Sequence, residues 1–221
     1  GILSAISRVD ETGQFSSTVT IHGNGIYDEI IRTLRMFDKD DLKQLFEMLV
    51  NRVHPSAKLI SFRIEPENLS NLWEDARIII DYEVPDYAII AGDYLLVKSP
   101  ISTNAFDLAV GATLEGATGL ETRTYPFELT FTLGLDLNEK IELPKGYTIK
   151  VLPDFVTFDS KIGNIHSNYS LNNNIIEFNL ELRVNDVKIA LDQYKDLREL
   201  SKQLNKAGDG QVILVRNGGK S

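Results

Sequence analysis

Residues 127–137 read Phe127-Glu128-Leu129-Thr130-Phe131-Thr132-Leu133-Gly134-Leu135-Asp136-Leu137, with an apolar side chain at every odd position and a polar residue or glycine between. Period two is the period of a β-strand, whose successive side chains point to opposite faces. One face then lies on a core and the other in water, which is the habit of antiparallel sheets. The pattern recurs downstream. Tyr147, Ile149 and Val151 alternate in a short strand with a Leu-Pro pair at each end, Leu143-Pro144 and Leu152-Pro153. Proline lacks a backbone donor, so the two prolines favour an edge strand or a strand terminus. Ile176, Phe178, Leu180, Leu182 and Val184 continue the pattern on even positions, after a turn at Asn172-Asn173-Asn174. A helix over about 192–205, with Tyr194, Leu197, Leu200 and Leu204 inward, and a strand at 212–215 close this half. Residues 217–221 read as a tail.

The first half mixes elements. Residues 2–9 and 14–21 read as a hairpin around Asp10-Glu11-Thr12-Gly13. Two helices follow between about Tyr27 and Val53. The second has Leu42, Leu45, Phe46, Leu49, Val50 and Val53 at the spacing of one buried face, with Asp38 as its cap. Ile60, Phe62 and Ile64 alternate, as do Ile78, Ile80, Tyr82 and Val84, and 87–97 is an apolar segment cut by Gly92-Asp93. Residues 99–121 have weak periodicity and read as a long loop or junction. The expected fold is mainly β (α+β): residues 1–120 form an α+β portion of a hairpin, two helices and strands. Residues 121–221 form an antiparallel β-sandwich-like domain closed by a helix and last strand.

Charge is unevenly spread. The chain of 221 residues carries a formal net charge of −9. Residues 1–120 hold 10 Lys+Arg against 18 Asp+Glu, and residues 121–221 hold 13 against 14. Acidity without a basic stripe argues against nucleic acid as partner. No run approaches the roughly 20 apolar residues of a membrane span. There is no cysteine, which excludes thiolate metal sites and a cysteine nucleophile within this sequence. The chain opens on Gly1 and runs at once into a strand, which reads as a segment cut from a longer parent.

The segment Arg123-Thr124-Tyr125-Pro126, the strand after it, the strand bracketed by Leu-Pro pairs and the strand pair that follows resemble the C-terminal region of bacterial transglutaminase-like multidomain proteins. In that family a β-domain of unknown function precedes a papain-like core, and a further β-domain ends the chain. The core uses a Cys-His-Asp triad in which a thiolate attacks an amide carbonyl. With no cysteine here, no catalytic residue carries over. The resemblance implies a non-catalytic accessory or interaction module of a cell-envelope protein, periplasmic or on the cell surface. Its partners would be other domains of the parent, another envelope protein or a glycan.

The residues themselves offer few sites. Trp73, the sole Trp, sits among Asn68, Asn71, Glu74 and Asp75, and Tyr125 stands beside Pro126. Either aromatic can stack on a sugar or a partner, or pack against a neighbouring strand. His22, His54 and His166 lie far apart, without a local metal or triad signature. Gly23-Asn24-Gly25 reads as a connecting turn rather than an anion loop, and Asp38, Asp40 and Asp41 as a helix start rather than a calcium loop. No cofactor or metal is expected. The readings that remain are the interaction module, a carbohydrate- or ligand-binding β-sandwich, and a hydrolase whose site assembles only in three dimensions.

Overall fold

A computed structural model describes residues 1–103 and 105–218; of the expected tail, 219–221 lie outside the described residues. Strands β1 (Ile2–Val9) and β2 (Phe15–His22) form the first hairpin. Its turn is fixed by Gly13 at a φ of 85° and by the Asp10 carboxylate, which accepts from the amides of Thr12 and Gln14. Helices α1 (Ile26–Thr33) and α2 (Lys39–Val53) follow. Asp38 caps α2, its Oδ1 accepting the Asp40 and Asp41 amides at 2.9 Å each. Next come β3 (Lys58–Glu65), β4 (Arg77–Val84), and the small hairpin β5 (Ile89–Ala91) and β6 (Tyr94–Lys98). Helix α3 (Val110–Thr118) leads to β7 (Phe127–Glu128), β8 (Leu133–Glu142), β9 (Tyr147–Val151) and β10 (Val156–Asp159). Strands β11 (Gly163–Asn172), β12 (Ile175–Val184) and β13 (Lys188–Ile189), helix α4 (Tyr194–Gly208) and strand β14 (Gln211–Arg216) complete the chain.

Eight strands make the main sheet in the order β10-β11-β12-β8-β1-β2-β4-β3. All neighbours are antiparallel except β1 and β8, which run parallel from Ile2 opposite Asp136 to Arg8 opposite Glu142. That pairing joins the two portions expected on either side of residue 120, each of which supplies four strands. The inner face buries Leu3, Val9, Phe15, Val19, Ile80, Leu135, Leu137, Phe178 and Leu182. Against it lie the helices and a four-stranded sheet, β5-β6-β14-β9, and one continuous core takes side chains from all of them. The strand between the Leu-Pro pairs is β9, at the edge of this smaller sheet, where its prolines place it.

Three local readings change. Residues 127–137 are not one strand. β7 pairs with β13, the Leu129 amide donates to the Val187 carbonyl at 2.8 Å, and the chain crosses to the main sheet before Leu133. Leu129 stays buried through the crossing, so the alternation looks unbroken in the sequence. The junction at 99–121 contains α3. The Asp107 carboxylate accepts from the amides of Val110 and Gly111 at its start, and its buried side is Val110, Gly111 and Leu114, too small a stripe to show as periodicity. In β3 the register shifts between Leu59 and Ser61, and Ile60 turns out to solvent, 59% exposed.

Gly163 stands where β11 meets the Arg183 backbone. A Cβ there would lie 1.9 Å from the Arg183 carbonyl oxygen. Gly163→Ala should therefore force the two backbones apart and cost about 2 kcal/mol. Urea unfolding checks this; a loss below about 0.5 kcal/mol would show that the strand pair yields freely.

Candidate functional site

Three features stand out on this frame. The first is internal. In β8 the inward positions run Leu133, Leu135, Leu137, Glu139, Ile141, so one carboxylate takes a core position and is 1% exposed. Ser7 Oγ donates to Glu139 Oε1 at 2.5 Å, Ser99 Oγ donates to Oε2, and Ser17 Oγ lies 2.8 Å from Ser7 Oγ. Burial pushes the carboxyl up to about 7, against the hydrogen bonds from Ser7, Ser99 and the Ile101 backbone, which favour the charged form. The phenols of Tyr82, Tyr87 and Tyr169 are raised by burial and then by the negative charge on Glu139. The Tyr82 and Tyr169 hydroxyls are buried and make no hydrogen bond among the described residues. With both oxygens engaged inside the core, Glu139 ties β8 to β1 and to the segment after β6. It is closed to a substrate.

The second feature is the loop between β3 and β4. Arg32, 8% exposed, reaches out of α1 into it. Its Nη1 donates to the carbonyls of Leu69 and Asn71 at 2.9 Å each, and Nη2 to that of Glu74 at 2.8 Å. Nε holds Asp28 Oδ2 at 2.7 Å. Leu69 is buried beneath, the Trp73 amide donates to Asn71 Oδ1 at 3.1 Å, and Asn71 Nδ2 donates to Glu74 Oε1 at 2.6 Å. The loop is therefore fixed on both sides of its tip. At that tip Leu72 is 74% exposed and Trp73 97% exposed. Of the two readings open for Trp73, packing against a strand is excluded.

The third feature is a cleft of about 630 Å³ between α4 and residues 121–123. Tyr194 Oη donates to the Leu120 carbonyl at 2.6 Å and Arg198 Nη1 to the Glu121 carbonyl at 2.8 Å, which holds the segment against the helix. Arg123 lies 3.9 Å over the Phe127 ring and 5.3 Å from the Tyr194 ring. Tyr125, on the same segment, is 77% exposed. Helix α4 packs on β10 and β11, whereas the Trp73 loop joins β3 and β4 at the other end of the main sheet. The two aromatics singled out from the sequence thus belong to separate surfaces.

The histidines each meet a different neighbour: His22 Nε2 lies 3.2 Å from Ser4 Oγ, His54 Nδ1 2.7 Å from Ser56 Oγ, and His166 Nε2 2.9 Å from Asp159 Oδ1. Burial and then the Arg77 charge lower the His22 pKa, with the Asp75 charge acting the other way. Among the described residues no group of three or more His, Cys, Asp or Glu is placed to hold a metal ion. Nor is any helix there long and apolar enough to cross a membrane.

Residues 97–214, from β6 through α4 into β14, match a family described as a domain of unknown function with solved-structure structure, DUF3858. The chain belongs to this family. The match takes in Glu139, the cleft and the Tyr125 segment, and leaves the Trp73 loop outside. No curated protein matches the DUF3858 chain. Among solved structures, a "putative protease" from Parabacteroides distasonis ATCC 8503 is similar at 16% identity and a TM-score of 0.46, over 57% of this chain and 24% of that one. The chain therefore spans about a quarter of that protein's length.

Proposed function

We propose that this DUF3858 chain is a non-catalytic interaction module of a larger bacterial protein, and that it docks through the Trp73 loop. The observation that carries this reading is the 97% exposure of an indole on a loop locked by a buried arginine. An exposed tryptophan on a floppy loop would lose entropy on binding; here Arg32 has already ordered the backbone that presents it. Trp is the residue type most enriched among those that dominate interface energies. The resemblance of the segment from Arg123 through the Leu-Pro bracketed strand and the strand pair after it to transglutaminase-like proteins supports another domain of such an envelope protein, periplasmic or at the cell surface, as the surface it meets. A flat exposed indole also suits stacking on a sugar ring, which is the second reading.

Trp73 is the sole Trp, so its fluorescence reports the loop alone. Titration with the remaining domains of the parent protein should shift its emission to shorter wavelength, and Trp73→Ala should weaken that binding by about thirtyfold while Tm moves by no more than about 2 °C. A response to peptidoglycan fragments instead would favour the glycan reading. Unchanged emission and affinity with both would overturn the proposal.

A further inference from the structure

The α4 cleft has a charge opposite to that of the molecule. Lys195, Arg198 and Lys202 follow one another at three- and four-residue spacing on α4, so they share one face of the helix, and Arg123 lies across from them. The opposite face of α4, with Leu197, Leu200 and Leu204, is buried. Four cations meet two carboxylates, Glu121 and Glu199, in a chain whose net charge is −9. Glu199 Oε1 accepts from Gln203 Nε2 at 2.5 Å and its Oε2 lies 3.8 Å from Lys202 Nζ, so the two carboxylates offset two of the four cations and leave an excess of two positive charges in the cleft. A locally positive concavity in a negative molecule concentrates anions where the rest of the surface repels them.

The cations are also ready to bind. Arg123 is held flat by the Phe127 and Tyr194 rings and by donation from Nη2 to the Ala117 carbonyl at 3.1 Å. Its Nε is buried, so Arg123 contributes positive charge to the cleft wall rather than a free pair of donors. Arg198 spends Nη1 on the Glu121 carbonyl, and that bond fixes its fork at the cleft wall. A planar guanidinium held in this way offers paired donors to a carboxylate or phosphate. Lys195 and Lys202 stand seven residues apart, about 10 Å along the helix.

From this geometry we infer that the cleft binds a small polyanion carrying two or more phosphate or carboxylate groups within about 10 Å. The site is independent of the Trp73 loop, and it lies inside the DUF3858 match.

Calorimetric titration of the intact chain with inorganic tripolyphosphate and with citrate, at 50 and 150 mM NaCl, tests the inference and separates the two anion chemistries. At least one should bind saturably with one site per chain, more weakly at the higher salt. Lys195→Glu with Lys202→Glu should reduce the affinity at least tenfold, and these exposed positions leave the core intact. The control pair Lys39→Glu with Lys58→Glu makes the same change in net charge at exposed positions on α2 and β3, at the opposite edge of the main sheet from β10 and β11, and should leave binding within twofold. Absence of saturable binding of either probe at 50 mM NaCl overturns the inference, as does equal weakening in both double variants. Trp73→Ala should not alter this binding, so failure here and failure of the docking reading are separate results.

Discussion

Stability should fall by about 3 kcal/mol as the pH rises from about 4.5 to about 7, through the single carboxyl of Glu139. In the unfolded chain this group loses its proton near its ordinary value of 4.5; in the folded chain burial holds the proton to about 7. Between those values the native state binds more protons than the unfolded state, so each rise in pH favours unfolding. Below 4.5 both states are protonated and above 7 both are ionised, so the contribution is flat outside the window. His22 acts in the opposite sense. Its lowered pKa makes the native state bind fewer protons below 6.5, so its contribution grows as the pH rises. The two overlap, and Glu139→Gln separates them. The amide keeps the shape and can still accept from one serine, but it does not titrate. The stability difference between parent and variant, from urea unfolding at a series of pH values, should swing by about 3 kcal/mol toward the variant between pH 4.5 and 8. A difference independent of pH would mean that Glu139 titrates alike in both states.

Glu139 also shows what the sequence discloses and what it withholds. Alternation in the strands is a local property, so the parity of β4, β8 and β12 is legible in it, while turn residues mark the hairpin at Asp10–Gln14 and the bracketing prolines favour an edge or a strand terminus for β9. A carboxylate at odd parity among Leu133, Leu135, Leu137 and Ile141 was the available signal for an internal polar site. Its partners Ser7 and Ser99 stand 132 and 40 residues away, and no periodicity connects them. The parallel pairing of β1 with β8 is hidden for the same reason, since both strands read as half-buried whichever neighbour they take. The cleft is half legible. Lys195, Arg198 and Lys202 share a helix face, but the wall opposite comes from a segment about 75 residues earlier, held to the helix by the Leu120 and Glu121 carbonyls and by Arg123 against the Tyr194 ring. The sequence leaves Trp73 open between stacking and packing, because an isolated aromatic in a polar stretch can be a core residue whose neighbours are distant. Its exposure follows from Arg32, an arginine in a helix 41 positions earlier.

Removing that arginine should show whether the loop is ordered from within or from beneath. Arg32→Met keeps most of the apolar stem but leaves the carbonyls of Leu69, Asn71 and Glu74 without their donor. Bonds from a charged donor are stronger than neutral ones, and buried acceptors stripped of a partner bear the cost of desolvation. The Leu69 bond is fully buried and the other two partly so, which gives an expected loss of about 3 kcal/mol in urea unfolding. Asp28 is 35% exposed and can turn to water, so it adds little to this figure. Arg32→Lys should recover less than half of the loss, because an ammonium cannot serve three carbonyls and Asp28 from one planar fork. The loop should also loosen: the anisotropy of Trp73 emission should fall, and protease cleavage between residues 68 and 75 should quicken. With the backbone no longer ordered in advance, the loop's partner should bind more weakly although Trp73 itself is unchanged. If Arg32→Met costs less than 1 kcal/mol and Trp73 anisotropy is unaltered, the Asn71 bonds and Asn68, whose Oδ1 accepts from the Ser70 amide at 3.1 Å, hold the loop by themselves. Presentation of the indole would then owe nothing to the helix below it.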